Sequence, residues 1–396
     1  MAALPEPATS ASHQQGKIAI TNVRVFDGQH ITEPSTVVID GGLIGEDAEG
    51  AKVIDGGGGV LLPGLIDAHV HLQTEHELRV MAEYGVTSAL DMATWPYSKL
   101  KALRGRVGMT DIRSPGLPAT SPGSLHSVLL PIPKEDLVAG PEDAARFIAN
   151  RMSESVDYIK VVADVPGPDQ DTLNALVAAA HEQKKLVIAH ASAFIPFAMA
   201  QDAKVDVITH APRDKALDNE ACSRMVAENR ISVPTLVMME VVSKPPTWGA
   251  ITRLLARPTL LLAIIRAKRQ NPHGGGQKYE NSRDSVTALY RAGVPILAGT
   301  DAHTESGSPF LVKHGDALHR ELELLVEAGL STVDALRAAT SLPAKYFNLN
   351  DRGVIEVGKR ADLVLISQDP IQDIRATRSI QRVWCGGIEV TMRSHL

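Results

Sequence analysis

The stretch Leu62-Pro63-Gly64-Leu65-Ile66-Asp67-Ala68-His69-Val70-His71 joins a short aliphatic run to two histidines one residue apart. On an extended backbone alternate side chains share a face, so His69 and His71 point the same way and can chelate one ion. A His-x-His pair on its own is more often a core or surface feature, and its context has to decide. From Leu65 onward, short aliphatic runs alternate with segments of helical period, the pattern of βα units on a parallel sheet. The predicted strands are Leu65–Val70, Ser88–Met92, Gly108–Arg113, Asp157–Val162, Leu186–Ala189, Val205–Thr209, Ile231–Val237 and Pro295–Gly299. Between them lie amphipathic stretches such as Asp171–Glu182, where Leu173, Leu176, Val177 and Ala180 line one helix face. Eight such units over roughly 280 residues match the size of a (β/α)8 barrel.

Outside this region the texture is β-like. Lys17–Phe26 alternates apolar and polar residues, and Thr36–Ile39 and Val53–Ile54 add short pieces. The run Gly56–Gly59 has no Lys-Ser/Thr after it and no helix at its exit, so it reads as a turn and not a phosphate loop. Beyond the eighth strand, His319–Ala328 and Val333–Thr340 read as helices, the second capped by Ser331 with Asp334 three residues on. Gly353–Ile366 and Arg382–Val390 return to β pieces. The expected architecture is α/β: a TIM barrel over residues 63–352, a small β-sandwich domain from residues 17–62 plus 353–396, and a disordered arm over 1–16.

Composition narrows the function. Forty basic against 46 acidic residues leave a net charge of −6, so no global field favours a polyanion and nucleic acid is not an expected partner. The longest apolar runs are broken well short of a membrane span, and Met1–Gly16 lacks the apolar segment of a signal peptide. A cytoplasmic protein with no membrane partner is expected. Cys222 and Cys385 form no zinc-binding spacing. Oligomeric state stays open, with a homo-oligomer among the options.

In barrels of this type the reactive groups sit at the C-terminal ends of the strands. Strand four carries Lys160 inside an apolar run, and an unpaired buried ammonium costs several kcal/mol, so it must pair, lose its proton or be modified. Snorkelling from the barrel mouth is the alternative. Strand five ends at His190, strand six at His210, and strand eight at Asp301, which could instead cap the following helix. Each residue alone has a bland explanation. Six of them, His69, His71, Lys160, His190, His210 and Asp301, at the same predicted rim point to a metal centre.

This constellation resembles the amidohydrolase superfamily over nearly the whole chain. Leu62–His71 is similar to the family's first-strand signature and Gly299-Thr300-Asp301-Ala302 to its eighth-strand signature. Leu318–Leu330 and the tail Gly358–Val364 resemble the imidazolonepropionase-like and prolidase-like branch. The resemblance implies that Lys160 is carboxylated by carbon dioxide to a bridging carbamate. It implies one metal held by His69, His71, Lys160 and Asp301, and a second by Lys160, His190 and His210. Nitrogen and oxygen ligands without thiolate suit Zn2+ best, with Mn2+, Co2+ or Fe2+ as alternatives. Two divalent ions sharing a hydroxide, with Asp301 as proton acceptor, imply hydrolysis of an amide in a small-molecule substrate. Cleavage of a lactone or ester, or a non-hydrolytic step such as decarboxylation, would use the same centre. A non-catalytic scaffold would be expected to lack ligands, and here all six positions are filled.

Departures from the branch concern substrate contacts. Ser121–Ser127 replaces the branch's Gly-Gly-His-Gly segment, leaving His126 as a candidate substrate contact or a loop histidine. Trp95 and Tyr97 after strand two are candidates to line the pocket, with rim packing as the alternative. His303 either contacts substrate or belongs to the start of a helix. The Val241–Lys278 segment reads as the strand-seven helix with a loop, the alternative being an apolar lid.

Overall fold

The computed structural model describes residues 16–130, 132–245, 248–270, 276–304 and 310–392. The arm expected over residues 1–16 lies, except for Gly16, outside them. The chain opens with five strands, β1 (Ile18–Val25), β2 (Ser35–Asp40), β3 (Leu43–Gly45), β4 (Lys52–Asp55) and β5 (Val60–Pro63). Seven more follow: β6 (Leu65–Val70), β7 (Val86–Asp91), β8 (Asp111–Arg113), β9 (Ile159–Val162), β10 (Val187–His190), β11 (Val207–Thr209) and β12 (Ile231–Val233). The C-terminal region adds β13 (Leu363–Ile366), β14 (Ile380–Cys385) and β15 (Ile388–Glu389).

The two ends of the chain pair with each other. The hydrogen-bonded order is β15-β14-β13-β5-β1-β2-β3, with β4 beside β1, and the join is the antiparallel β5–β13 pair, Leu62 opposite Val364. Alternation drives this assembly: Ile18, Ile20, Val37, Ile39, Leu363, Leu365 and Trp384 fall on one side and form a core of their own.

The central strands run parallel as β6-β7-β8 and β9-β10-β11-β12. Parallel bridges place residue 119 beside β9 at Val161, Ile296 beside β12 at Ser232 and Ala302 beside β6 at Val70. β6, β7, β9, β11 and β12 are buried along their whole length, as parallel strands covered by helices are, while β8 is only partly buried. The fold is α/β.

Two predicted strands differ from expectation. Strand seven ends at Val233, not Val237, because a helix begins at Leu236 (Leu236–Ser243). Its first turn is capped from far away: the Glu321 carboxylate accepts from the Leu236 and Val237 N–H groups at 2.9 and 2.7 Å. Those are donors with no partner inside their own helix. Burial pushes the Glu321 carboxyl up to about 8. Strand eight is reduced to a single bridge at Ile296. Pro295 has no N–H to give, and the Ala298 N–H turns away to the Ala338 carbonyl at 2.8 Å. The segment still crosses between its neighbours, with Leu297 N–H on Ser232 O and Asp301 N–H on His69 O. The Ser331 cap is present, its hydroxyl accepting from the Asp334 N–H. No helix among the described residues is long and apolar enough to cross a membrane.

Candidate active site

The strand-eight motif is built around close approach. A side chain on Gly299 would lie 2.9 Å from both the His69 Cβ and the His69 nitrogen, so only glycine lets this segment reach the first strand. Thr300 then ties the two together: its hydroxyl donates to Asp67 at 2.7 Å and its N–H to the other Asp67 oxygen at 3.1 Å. Asp67 therefore serves as a strut, and burial raises its carboxyl to about 7. Asp301 follows with φ of +58°, a left-handed backbone that aspartate tolerates better than most residues. This turn carries its carboxylate into the site.

Three imidazoles converge on that carboxylate. Asp301 Oδ1 lies 3.0 Å from His71 Nε2 and 3.4 Å from His69 Nε2, and Oδ2 lies 3.9 Å from His210 Nδ1. His210 also sits in a left-handed backbone, φ +75°, and its Nδ1 pairs with the Thr235 hydroxyl at 2.8 Å. Burial opposes the Asp301 charge, yet His69, His71 and His210 together hold the carboxyl well below its usual range. Burial disfavours the protonated form of three histidines here, with His69 lowered to about 3, His190 to about 4 and His210 well below its usual value. Neutral imidazole is the form that binds cations.

Lys160 is buried in β9 with its ammonium nitrogen 3.0 Å from the Thr209 hydroxyl. Burial pulls its pKa down to about 7, partly opposed by Asp301 and Asp91. The sequence poses a choice between pairing, deprotonation and modification; no ion pair to Lys160 is found among the described residues, and a large neutral fraction results at neutral pH.

Asp164 is a site residue that the sequence pattern does not single out. It lies just past β9, and its carboxylate holds two histidines, His126 through Nδ1 at 2.5 Å and His190 through Nε2 at 3.5 Å. Burial opposes the charge, but His126 and His190 hold the carboxyl far below its usual range. A signal for it exists, since a carboxylate follows the Lys160 strand as one follows the eighth. Among the described residues, two groups of side chains could hold a metal ion, His69–His71–Asp301 and His126–Asp164–His190. His190 and His210 stand with ring centroids 4.4 Å apart and bridge the two groups.

These residues floor a cavity of about 260 Å³. Its walls are largely apolar, with Leu125, Leu129, Met238, Met239, Val242 and Leu260 among them. His126 and His303 both line it. The His303 nitrogens face the carbonyls of Asp301 at 2.9 Å and Phe310 at 2.8 Å, so its ring also braces the strand-eight turn. Trp95 and Tyr97 do not line it. They pack against the main core, Tyr97 opening the helix Tyr97–Leu103, while Met92 and Ala93 reach the cavity. The Val241–Lys278 segment contains two helices, Trp248–Leu255 and Pro258–Gln270, and contributes Leu260 and Ile264 to the cavity wall. It is thus more than a helix with a loop. Gly274 and Gly275 lie outside the described residues.

Residues 140–390 match the model of the Amidohydrolase family. The chain belongs to that family. It is similar to an adenine deaminase of Gluconobacter oxydans, 27% identical over 386 residues, which covers 91% of this chain and 57% of the deaminase. The chain thus spans little more than half the length of that relative. An uncharacterized protein of Mycobacterium bovis is 26% identical over 365 residues, covering 85% of this chain and 86% of that protein. A solved Xaa-Pro dipeptidase with methionine in its active site superposes with a TM-score of 0.76 at 22% identity, covering 94% of this chain and 99% of the dipeptidase. Molinate hydrolase superposes at 0.72 with 18% identity, covering 96% and 95%. Likeness at such identity speaks to the fold.

Proposed function

We propose that the protein is a binuclear metal-dependent hydrolase of amide bonds in small or dipeptide-like substrates. On this reading the parallel strands form a (β/α)8 barrel over residues 63–352, and residues 17–62 and 353–396 form an accessory β-sandwich domain. The observation that carries the function is the convergence of three imidazoles on the Asp301 carboxylate, beside a buried lysine whose pKa burial pulls down to about 7.

The donor set fits divalent ions. His69 Nδ1 is buried with no hydrogen-bond partner among the described residues, and nitrogen and oxygen donors without thiolate suit Zn2+, or Mn2+, Co2+ or Fe2+. His69, His71, Lys160 and Asp301 would hold one ion, and Lys160, His190 and His210 the other. When bound, such ions supply Lewis acidity and a water acidic enough to ionise at neutral pH. The neutral Lys160 amine adds to the carbon of carbon dioxide and sheds a proton, giving a carbamate anion in place of an unpaired ammonium. Asp301 accepts the proton of the attacking water at a carboxylate oxygen and delivers it to the leaving amine nitrogen. Asp164, itself part of the cavity lining, orients His190 and His126, and the apolar walls exclude bulk water.

Adenine deaminase, Xaa-Pro dipeptidase and molinate hydrolase all bear names that denote cleavage of a bond to nitrogen or a hydrolytic step. A dipeptide or N-acyl amino acid is preferred over a lactone because an amine leaving group depends on a proton far more than an alkoxide does, and Asp301 would supply it. Dialysis against a chelator, followed by assay on a panel of amides and lactones, tests this. Amide hydrolysis is expected to fall to background and to return with zinc or manganese plus bicarbonate. Chelator-resistant turnover would contradict the reading.

A further inference from the structure

Arg213 lies three residues past His210 and lines the same cavity, yet the metal chemistry makes no use of it. Its guanidinium is largely buried, and burial lowers its pKa to about 10, partly opposed by Asp214, so it remains a cation at neutral pH. It forms no ion pair among the described residues. One nitrogen, Nη1, donates to the Val242 carbonyl at 3.2 Å, in the last turn of the helix Leu236–Ser243. The Nε is buried with no hydrogen-bond partner among the described residues. The adjacent Asp214 carboxylate is committed elsewhere, accepting from the Phe194 and Lys215 N–H groups at 2.9 and 3.0 Å.

The backbone of Arg213 is fixed in place. Its carbonyl accepts from the Lys278 N–H at 2.9 Å and from the Asn281 amide at 2.7 Å. A buried guanidinium without a carboxylate is costly unless something else completes it. The Nε–Nη2 edge left over here is the fork that grips a carboxylate with two parallel hydrogen bonds. The same cavity is also lined by the apolar side chains of Met238, Met239, Val242 and Leu260.

We infer that Arg213 is a specificity-determining residue that binds a carboxylate of the substrate, so the enzyme acts on amides carrying an anionic group beside an apolar side chain. The inference rests on the hydrolase reading in taking this cavity as the substrate site, and it narrows the substrate class to apolar N-acyl amino acids and dipeptides. Neutral amides of the same shape leave the guanidinium edge unpaired and are discriminated against.

The test uses the metal-loaded protein and matched probes: N-acetyl-L-leucine, N-acetyl-L-methionine, N-acetyl-L-phenylalanine and glycyl-L-leucine, each paired with its C-terminal carboxamide. Binding is measured by calorimetry at neutral pH, and turnover in parallel. Wild-type protein is expected to bind at least one acid about tenfold or more tighter than its carboxamide. Arg213→Met should erase that preference with little loss of carboxamide binding, and Arg213→Gln provides a second neutral variant should the first misfold. Absence of any acid preference in the wild type overturns the inference. So does a preference that survives in a folded neutral variant, since a metal-bound carboxylate would then explain it. Equal turnover of acid and carboxamide would sink the role of Arg213 while sparing the hydrolase reading. An acid preference lost with Arg213, in protein that hydrolyses nothing, would do the reverse.

Discussion

Asp301→Asn is expected to lower kcat/KM by about 10²- to 10⁴-fold on any amide the wild-type protein hydrolyses, with little change in thermal stability. Asparagine keeps the size of the side chain and tolerates the left-handed backbone at this position, φ +58°. It can no longer accept a proton, and it offers the three surrounding imidazoles a neutral oxygen in place of a carboxylate. Steady-state kinetics beside a melting curve separates the two effects. An active Asp301→Asn enzyme would remove Asp301 from the proton transfer; an inactive one that melts far below the wild type would show a structural role instead.

Lys160→Met is expected to abolish activity and leave the fold at least as stable. Methionine fills the buried strand position without a charge, and exchanging buried charged groups for apolar ones of like volume is often neutral or stabilising. The pH dependence carries a further signature. The folded pKa of about 7 lies below the ordinary 10.5, so between these values the unfolded chain binds more protons than the folded one. In metal-free wild-type protein this contribution to stability is fully present above 10.5 and is lost as pH falls through about 7. Denaturant titrations at several pH values should show that slope in the wild type and a flatter profile in Lys160→Met. Native mass spectrometry should find the metal-loaded wild type heavier by one carbon dioxide and the variant not. Retained activity in Lys160→Met would overturn the assignment of Lys160 as a bridging group.

Much of this site is legible in residue order because strand ends report it locally. His69 and His71 share a face through two-residue periodicity, and Lys160 stands out as a charge within an apolar strand. Gly299, Thr300 and Asp301 form a signature because each makes a different contribution, namely close approach, a strut to Asp67 and a turned carboxylate. What residue order does not carry depends on contacts between distant segments. Glu321 caps a helix that begins 85 residues earlier, and nothing in either local pattern announces the pair. Strand seven reads too long because Leu236 and Val237 are apolar in a helix as much as in a strand. Trp95 and Tyr97 pack against the core, just before and at the start of the helix Tyr97–Leu103, a direction that composition does not encode. Asp164 and Arg213 follow strands four and six in plain view, and only their burial and their partners distinguish them from loop charges.

Metal content per polypeptide, by elemental analysis of protein purified without chelator and reconstituted with zinc and bicarbonate, tests the central claim most directly. About two equivalents are expected, dropping in Lys160→Met, because that residue is assigned to both ions. One equivalent or fewer, persisting with excess metal and bicarbonate, would contradict a binuclear centre and leave Lys160 a buried structural lysine.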